Sequence, residues 1–141
     1  MKIQLSQSDH NTKIKIDALD LEPIVFKLTL EEKEGGEGWD LKTADKLILD
    51  YRLFLFLSYL NRKYNLNTAI VPNESIDTIW HHHILDTEKY DEDCQELFGF
   101  KIHHFPYLGM RGEEDKIQLE QQFAKTLELV NLVKIQLNSS Y

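Results

Sequence analysis

The segment from Leu47 to Leu60 constrains the fold more than any other part of this chain. Apart from Asp50, Arg52 and Ser58, its residues are aliphatic or aromatic. A helix over this segment is therefore apolar on nearly every side, and such a helix belongs in the centre of a fold. Asp50 and Arg52 interrupt the apolar run, which is also shorter than the roughly 20 residues that a bilayer requires. We predict a central buried helix and no membrane partner.

Cap residues and apolar periodicity divide the rest of residues 39–141 into helices around this one. The sequence predicts a mainly α fold, a compact bundle of about four helices. The expected helices run from Leu41 to between Asn61 and Tyr64, from Glu74 to Leu85, from Glu88 to Phe98 and from Glu113 to Leu137.

Residues 1–38 carry a different pattern and are predicted to form a short N-terminal arm. Short alternating stretches at Lys2–Leu5, Lys13–Ile16 and Val25–Leu30 are typical of strands. Asp20 followed by Pro23 equally resembles a helix start, so that Leu21–Thr29 fits a short helix instead. An acidic, glycine-rich loop over residues 31–38 then separates the arm from the domain at 39–141.

Charge and cysteine content limit the classes of partner. The net charge of −8 opposes binding to nucleic acids, because Lys and Arg supply most of the affinity for phosphate backbones. Anionic membranes are excluded for the same reason. A single cysteine, Cys94, cannot form an intramolecular disulfide, and the N-terminus has no apolar signal-peptide run. We expect a cytoplasmic protein.

The histidines are concentrated in one short region. Five of the six lie in His81–His83 and at His103 and His104, and Cys94 lies between the two groups. Asp77 and His81 are one helical turn apart and share a face, so both can contact one ion. These residue types are ligands of zinc and of iron. We predict a zinc or iron site with candidate ligands Asp77, His81, Cys94, His103 and His104.

Two other interpretations of this region stay open. His83 falls on an apolar stripe and is predicted to be packed, so that the cluster also fits a structural network of histidines and aromatic residues. Cys94 with His81 or His103 also fits a catalytic thiolate–imidazolium pair. That pair is the weaker alternative, because a cysteine in the middle of a helix lacks the helix N-terminus that would lower its pKa.

The region also resembles a known family. Its motifs are Asp77-Thr78-Ile79-Trp80-His81-His82-His83, then Tyr90 with Asp93-Cys94, then Phe98-Gly99 and a downstream histidine. This pattern is similar to that of the glycine-rich domain-containing protein-like family, which occurs in plant proteins and small bacterial relatives. The resemblance spans about residues 39–125. It implies a helical domain with its site at Asp77, Trp80, His81, His83, Tyr90, Cys94 and His103 or His104, and it implies no particular activity.

Two functions from different classes follow. The first is a metal-binding domain, in which a closed ligand shell would be structural and an open shell with bound water would allow catalysis. The sequence does not decide whether the protein is an enzyme. The alternative is a metal-free interaction module that uses exposed aromatic residues at Phe105-Pro106-Tyr107-Leu108 to bind a partner protein.

Overall fold

The structure, a computed structural model, describes residues 3–139 and is mainly α-helical. No strand occurs within these residues, so the predicted fold class is confirmed. The helices are α1 (Gln7–Ala18), α2 (Glu22–Thr29), α3 (Leu41–Lys63), α4 (Glu74–Leu85), α5 (Thr87–Phe98) and α6 (Glu113–Ser139), with a 3-10 turn at Glu32–Glu34.

Helix α3 is the centre of the fold, as the apolar segment predicted. The four consecutive residues from Phe54 to Leu57 are all buried. Because successive side chains are rotated by about 100° around a helix, four buried neighbours mean that α3 is enclosed on all sides. Helices α1, α2, α4 and α6 all pack against it. The Asp40 side chain caps its start by accepting a hydrogen bond from the Thr43 N–H at 2.8 Å.

The N-terminal arm is helical, which accounts for the two helices beyond the predicted bundle. Ser6 and Asp9 form a capping box that begins α1, and the strand interpretation of Lys13–Ile16 is therefore wrong. The alternating apolar pattern of Lys13–Ile16 lies in a helix, which buries Ile16 and leaves Ile14 exposed. The short-helix interpretation of Leu21–Thr29 is confirmed by α2. Lys2 lies outside the described residues.

Polar contacts attach the arm to α3. The guanidinium of Arg52 donates to the backbone oxygens of Ile16 at 2.6 Å and Leu19 at 3.0 Å. Ile16, Leu21 and Leu28 are buried in the same core as the residues of α3. The division of the chain at residue 38 stays a prediction, and residues from both sides of it contribute to this core.

Two turns position the candidate site. Helices α4 and α5 form a hairpin through Asp86, which brings Trp80 and Tyr90 into contact. Gly99, with φ of 77°, ends α5 in the left-handed conformation that glycine adopts at low cost. The irregular segment after it, residues 100–112, returns across α4.

Within residues 3–139, no helix combines the length and apolarity needed to cross a membrane.

Candidate metal centre

Asp77 and His81 project from the outer face of α4. Asn73 caps this helix by accepting from the Ile76 N–H at 2.9 Å, which fixes the register of the residues that follow. One turn separates Asp77 from His81, and Oδ2 of Asp77 lies 3.4 Å from Nε2 of His81. The shared face that the sequence predicted for these two residues is therefore present.

His104 joins this pair from the irregular segment. Its Nε2 lies 2.8 Å from Oδ1 of Asp77 and 3.2 Å from Nε2 of His81. Asp77, His81 and His104 each offer one ligand atom, and these atoms all lie within 4.8 Å of one another. The His81 side chain is 55% exposed, whereas that of His104 is 18% exposed. The group is therefore open on the side of His81 and backed by protein on the side of His104.

Aromatic residues hold His104 in place from behind. Its ring packs at a tilt of 36° against that of Trp80, with the centroids 4.4 Å apart. The Trp80 Nε1–H donates to the Tyr90 hydroxyl at 3.0 Å, and that hydroxyl donates to the backbone oxygen of Ile102. Tyr90 thus fixes the chain two residues before His104. Burial raises the pKa of Tyr90 well above its usual range, so this hydroxyl keeps its proton.

The structure does not bring Cys94 or His103 into this group. Cys94 is 2% exposed on the inner side of α5, next to the Tyr90 hydroxyl and the backbone of Ile102. Burial raises the pKa of its thiol. His103 is exposed. Successive side chains of an extended segment point to opposite sides, which explains why His104 reaches Asp77 while its neighbour does not.

His83 belongs to a separate buried network. It is 1% exposed, which confirms the prediction that it is packed. Its Nδ1 accepts from the Tyr51 hydroxyl at 2.7 Å, and its Nε2–H donates to the Asp93 carboxylate at 2.8 Å. Lys89 lies 3.0 Å from the same carboxylate oxygen. Burial lowers the pKa of His83, although Asp93 opposes this shift.

Tyr51 and Asp93 were not identified as part of this region's polar network from the sequence. Tyr51 lies 32 positions from its partner, and no local spacing links a tyrosine of α3 to a histidine of α4. His82, the residue between His81 and His83, is half-buried. Its Nε2 lies 2.9 Å from the carboxylate of Glu37 in the glycine-rich loop.

A cleft of about 860 Å³ lies beside the cluster. Asp77, Trp80 and His104 line one part of it, and the end of α3 lines another. The other walls include two irregular stretches, residues 67–72 and 100–108, together with Leu119 and Gln122 of α6. A ligand in this cleft could contact Asp77 and His104 directly, because both of these candidate metal ligands line it.

Comparisons with known proteins give two matches for this chain. The family model described as UCP032817-like matches residues 17–130, a range that contains the whole cluster. Glycine-rich domain-containing protein 1 of Arabidopsis thaliana is 36% identical over 140 residues, an alignment that covers 84% of this chain. The chain spans only 17% of the length of that relative. No solved structure gives a significant match.

Proposed function

This chain belongs to the UCP032817-like family, and from its site we propose that it is a metal-binding domain whose centre is formed by Asp77, His81 and His104. The observation that carries the proposal is the convergence of three ligand atoms within 4.8 Å from two separate parts of the chain. The resemblance to the glycine-rich domain-containing proteins is confirmed by the relative described above, and it supports the location of the site.

The distances between the ligand atoms suit a single ion. Two imidazole nitrogens at about 2.0–2.1 Å from one zinc ion lie about 3.3 Å apart in a tetrahedral arrangement. The two Nε2 atoms here are 3.2 Å apart, and Oδ2 of Asp77 is 3.4 Å from Nε2 of His81. In the absence of metal, the 2.8 Å contact between His104 and Asp77 is a hydrogen bond. A metal ion would take the place of the shared proton.

The donor set favours zinc or iron(II). Two histidines and one carboxylate are the protein ligands of several zinc hydrolases and also of many non-haem iron oxygenases. Both kinds of centre leave coordination positions for water or substrate, and a divalent ion lowers the pKa of bound water. Since His81 is exposed and the cleft adjoins the cluster, we propose an open centre of the catalytic type.

The proposed ligand set is narrower than the one considered from the sequence. Cys94 is left out because its sulfur lies on the buried side of α5, and His103 because it faces solvent. As part of the same proposal, the domain acts in the cytoplasm, where a free buried cysteine stays reduced. A nucleic-acid partner is not expected at a net charge of −8.

The test is metal binding by matched histidine variants. We expect the purified, untagged wild-type protein to bind zinc or iron(II) at one equivalent, measured by elemental analysis and by calorimetric titration after chelation. His104→Gln should weaken binding at least about a hundredfold, because it removes one of three ligands. His103→Gln is the control for the adjacent exposed residue and should bind like wild type.

Two results would overturn the proposal. One is the absence of zinc and iron(II) binding by the wild-type protein under anaerobic conditions. The other is an equal loss in His103→Gln and His104→Gln, which would show that the cluster is not the binding site.

A second candidate function, a metal-free interaction module, is favoured by one surface. Phe105 and Tyr107 are 55% and 58% exposed, and their rings pack edge to face at 5.5 Å. Met110 is also exposed nearby. Exposed aromatic residues grouped in this way are typical of protein-binding surfaces. This function would be supported if the wild-type protein bound no zinc or iron(II) and Phe105→Ser lost binding to a partner protein that the wild type captures.

A further inference from the structure

We propose that the cleft beside the centre binds a small organic acid whose carboxylate pairs with Arg62 and whose other end reaches the metal. This inference rests on the proposed function and names the substrate class for the same site. Three observations support it. Arg62 has no carboxylate partner among the described residues, Oδ1 of the preceding residue Asn61 has no hydrogen-bond partner there, and the cleft is small.

Arg62 is a cation that has no anionic partner in the part of the chain that the structure describes. Its guanidinium lies over the Phe100 ring, 4.4 Å from the centroid, and both residues line the cleft. Among residues 3–139, no carboxylate is within ion-pair distance of it. By contrast, Lys101 pairs with Asp91 and Arg111 with Asp115. In an acidic protein, an exposed guanidinium that lies over an aromatic ring and has no carboxylate partner among the described residues offers its N–H groups to an incoming anion.

Asn61, the residue before Arg62, supplies a second polar group to the cleft. Its Nδ2 donates to the backbone oxygen of Thr68 at 2.7 Å. Its Oδ1 is buried and has no hydrogen-bond partner among the described residues. This oxygen shows that the polar groups at the Arg62 end of the cleft are not fully satisfied within the described residues.

The dimensions of the cleft limit the ligand to a small molecule. Phe100 lies beside Arg62 at one end of the cleft, and His104 belongs to the metal cluster at the other end. Because these two residues are four positions apart, their Cα atoms are at most about 14 Å from each other. The walls of the cleft include Ile70, Val71 and Ile102, which suit a short apolar linker. A ligand that contacts both ends is therefore a short chain with an anion at one terminus.

The charge of the site favours a carboxylate over a phosphate. One guanidinium matches one carboxylate in a bidentate pair, whereas phosphates are usually held by several cationic or N–H groups. Glu74 also lines the cleft, and the net charge of the chain is −8. Both disfavour the two charges that a phosphate group concentrates at one point.

The experiment is a calorimetric titration of the zinc-loaded full chain with adipate, a dicarboxylate that can contact both ends. Arg62→Gln should weaken adipate binding at least about tenfold, because it removes a charge-assisted hydrogen-bonded pair. Lys46→Gln is the control, since it removes an exposed charge of α3 that does not line the cleft, and it should change affinity less than about twofold. Hexanoate, which lacks the second carboxylate, should bind more weakly than adipate.

Each remaining outcome decides the inference. Succinate and suberate are a shorter and a longer dicarboxylate than adipate. If all three bind wild type and Arg62→Gln with equal affinity, or if none of them binds, the inference fails. If inorganic phosphate binds more tightly than adipate and does so through Arg62, the carboxylate assignment fails. If the wild-type protein binds no metal, the proposed function fails instead, and Arg62-dependent binding of hexanoate to the metal-free chain still supports the anion site.

Discussion

Nε2 of His104 lies 2.8 Å from Oδ1 of Asp77, although 27 positions separate the two residues in the chain. The contact joins helix α4 to the irregular segment that follows α5. The position of that segment depends on Gly99, which turns the chain, and on Tyr90, which holds Ile102. Residues that are not ligands should therefore control metal affinity.

The first prediction concerns Tyr90. Tyr90→Phe removes the hydroxyl that accepts from Trp80 and donates to Ile102, while it leaves every proposed ligand in place. We expect metal affinity to fall about tenfold to a hundredfold, because partners that orient ligands have effects of this size. Calorimetric titration with zinc measures this. Tyr107→Phe, which changes an exposed hydroxyl, is the control, and equal affinity in both variants would contradict the positioning role of Tyr90.

The second prediction concerns Cys94. Its thiol is buried, its pKa is raised by burial, and it lies outside the group formed by Asp77, His81 and His104. A disulfide reagent reacts with the thiolate, so labelling in native buffer should be slow. It should stay slow when a chelator is added and become fast only on unfolding in urea. Rapid labelling that depends on the chelator would instead show that Cys94 is a metal ligand.

Helix α3 and the Asp77–His81 pair could be predicted because local rules determine them. An apolar segment such as Leu47–Leu60 needs cover on all sides, and the pitch of a helix places Asp77 one turn from His81. The choice between His103 and His104 depends on which way an irregular segment faces, and no local periodicity fixes that. Cys94 was considered as a ligand because helix periodicity shows which face points inward without showing what the face contacts.

The third prediction concerns the pH dependence of stability. Burial alone would raise the pKa of Asp9, but hydrogen bonds from Lys63, Tyr64, Ser6 and Tyr59 lower it from 3.8 to about 2. A carboxyl group whose pKa is lower in the folded state than in the unfolded state stabilises the fold at pH values above its unfolded pKa. This contribution is lost as the pH falls from about 4 to about 2. It corresponds to about 2 kcal/mol in the free energy of unfolding.

The measurement for Asp9 is the urea unfolding of wild type and Asp9→Asn between pH 7 and pH 2. The difference between the two proteins should be largest at neutral pH and shrink below about pH 4. Asp17→Asn serves as the control, since Asp17 is exposed and its i,i+4 ion pair with Lys13 contributes little. A constant difference at every pH would mean that the charge of Asp9 is not what stabilises the fold.

The last prediction separates the buried His83 network from the metal centre. Tyr51→Phe removes the hydroxyl that donates to Nδ1 of His83 and leaves a buried nitrogen without a partner. The free energy of unfolding should fall by about 1–3 kcal/mol, the cost of an unsatisfied buried group. Metal affinity should stay at the wild-type value, because Tyr51 and His83 contact none of the proposed ligands directly. Chemical unfolding and zinc titration of the same preparation measure both quantities. A variant that keeps its stability but loses zinc would show that the Tyr51–His83 network contributes to metal binding.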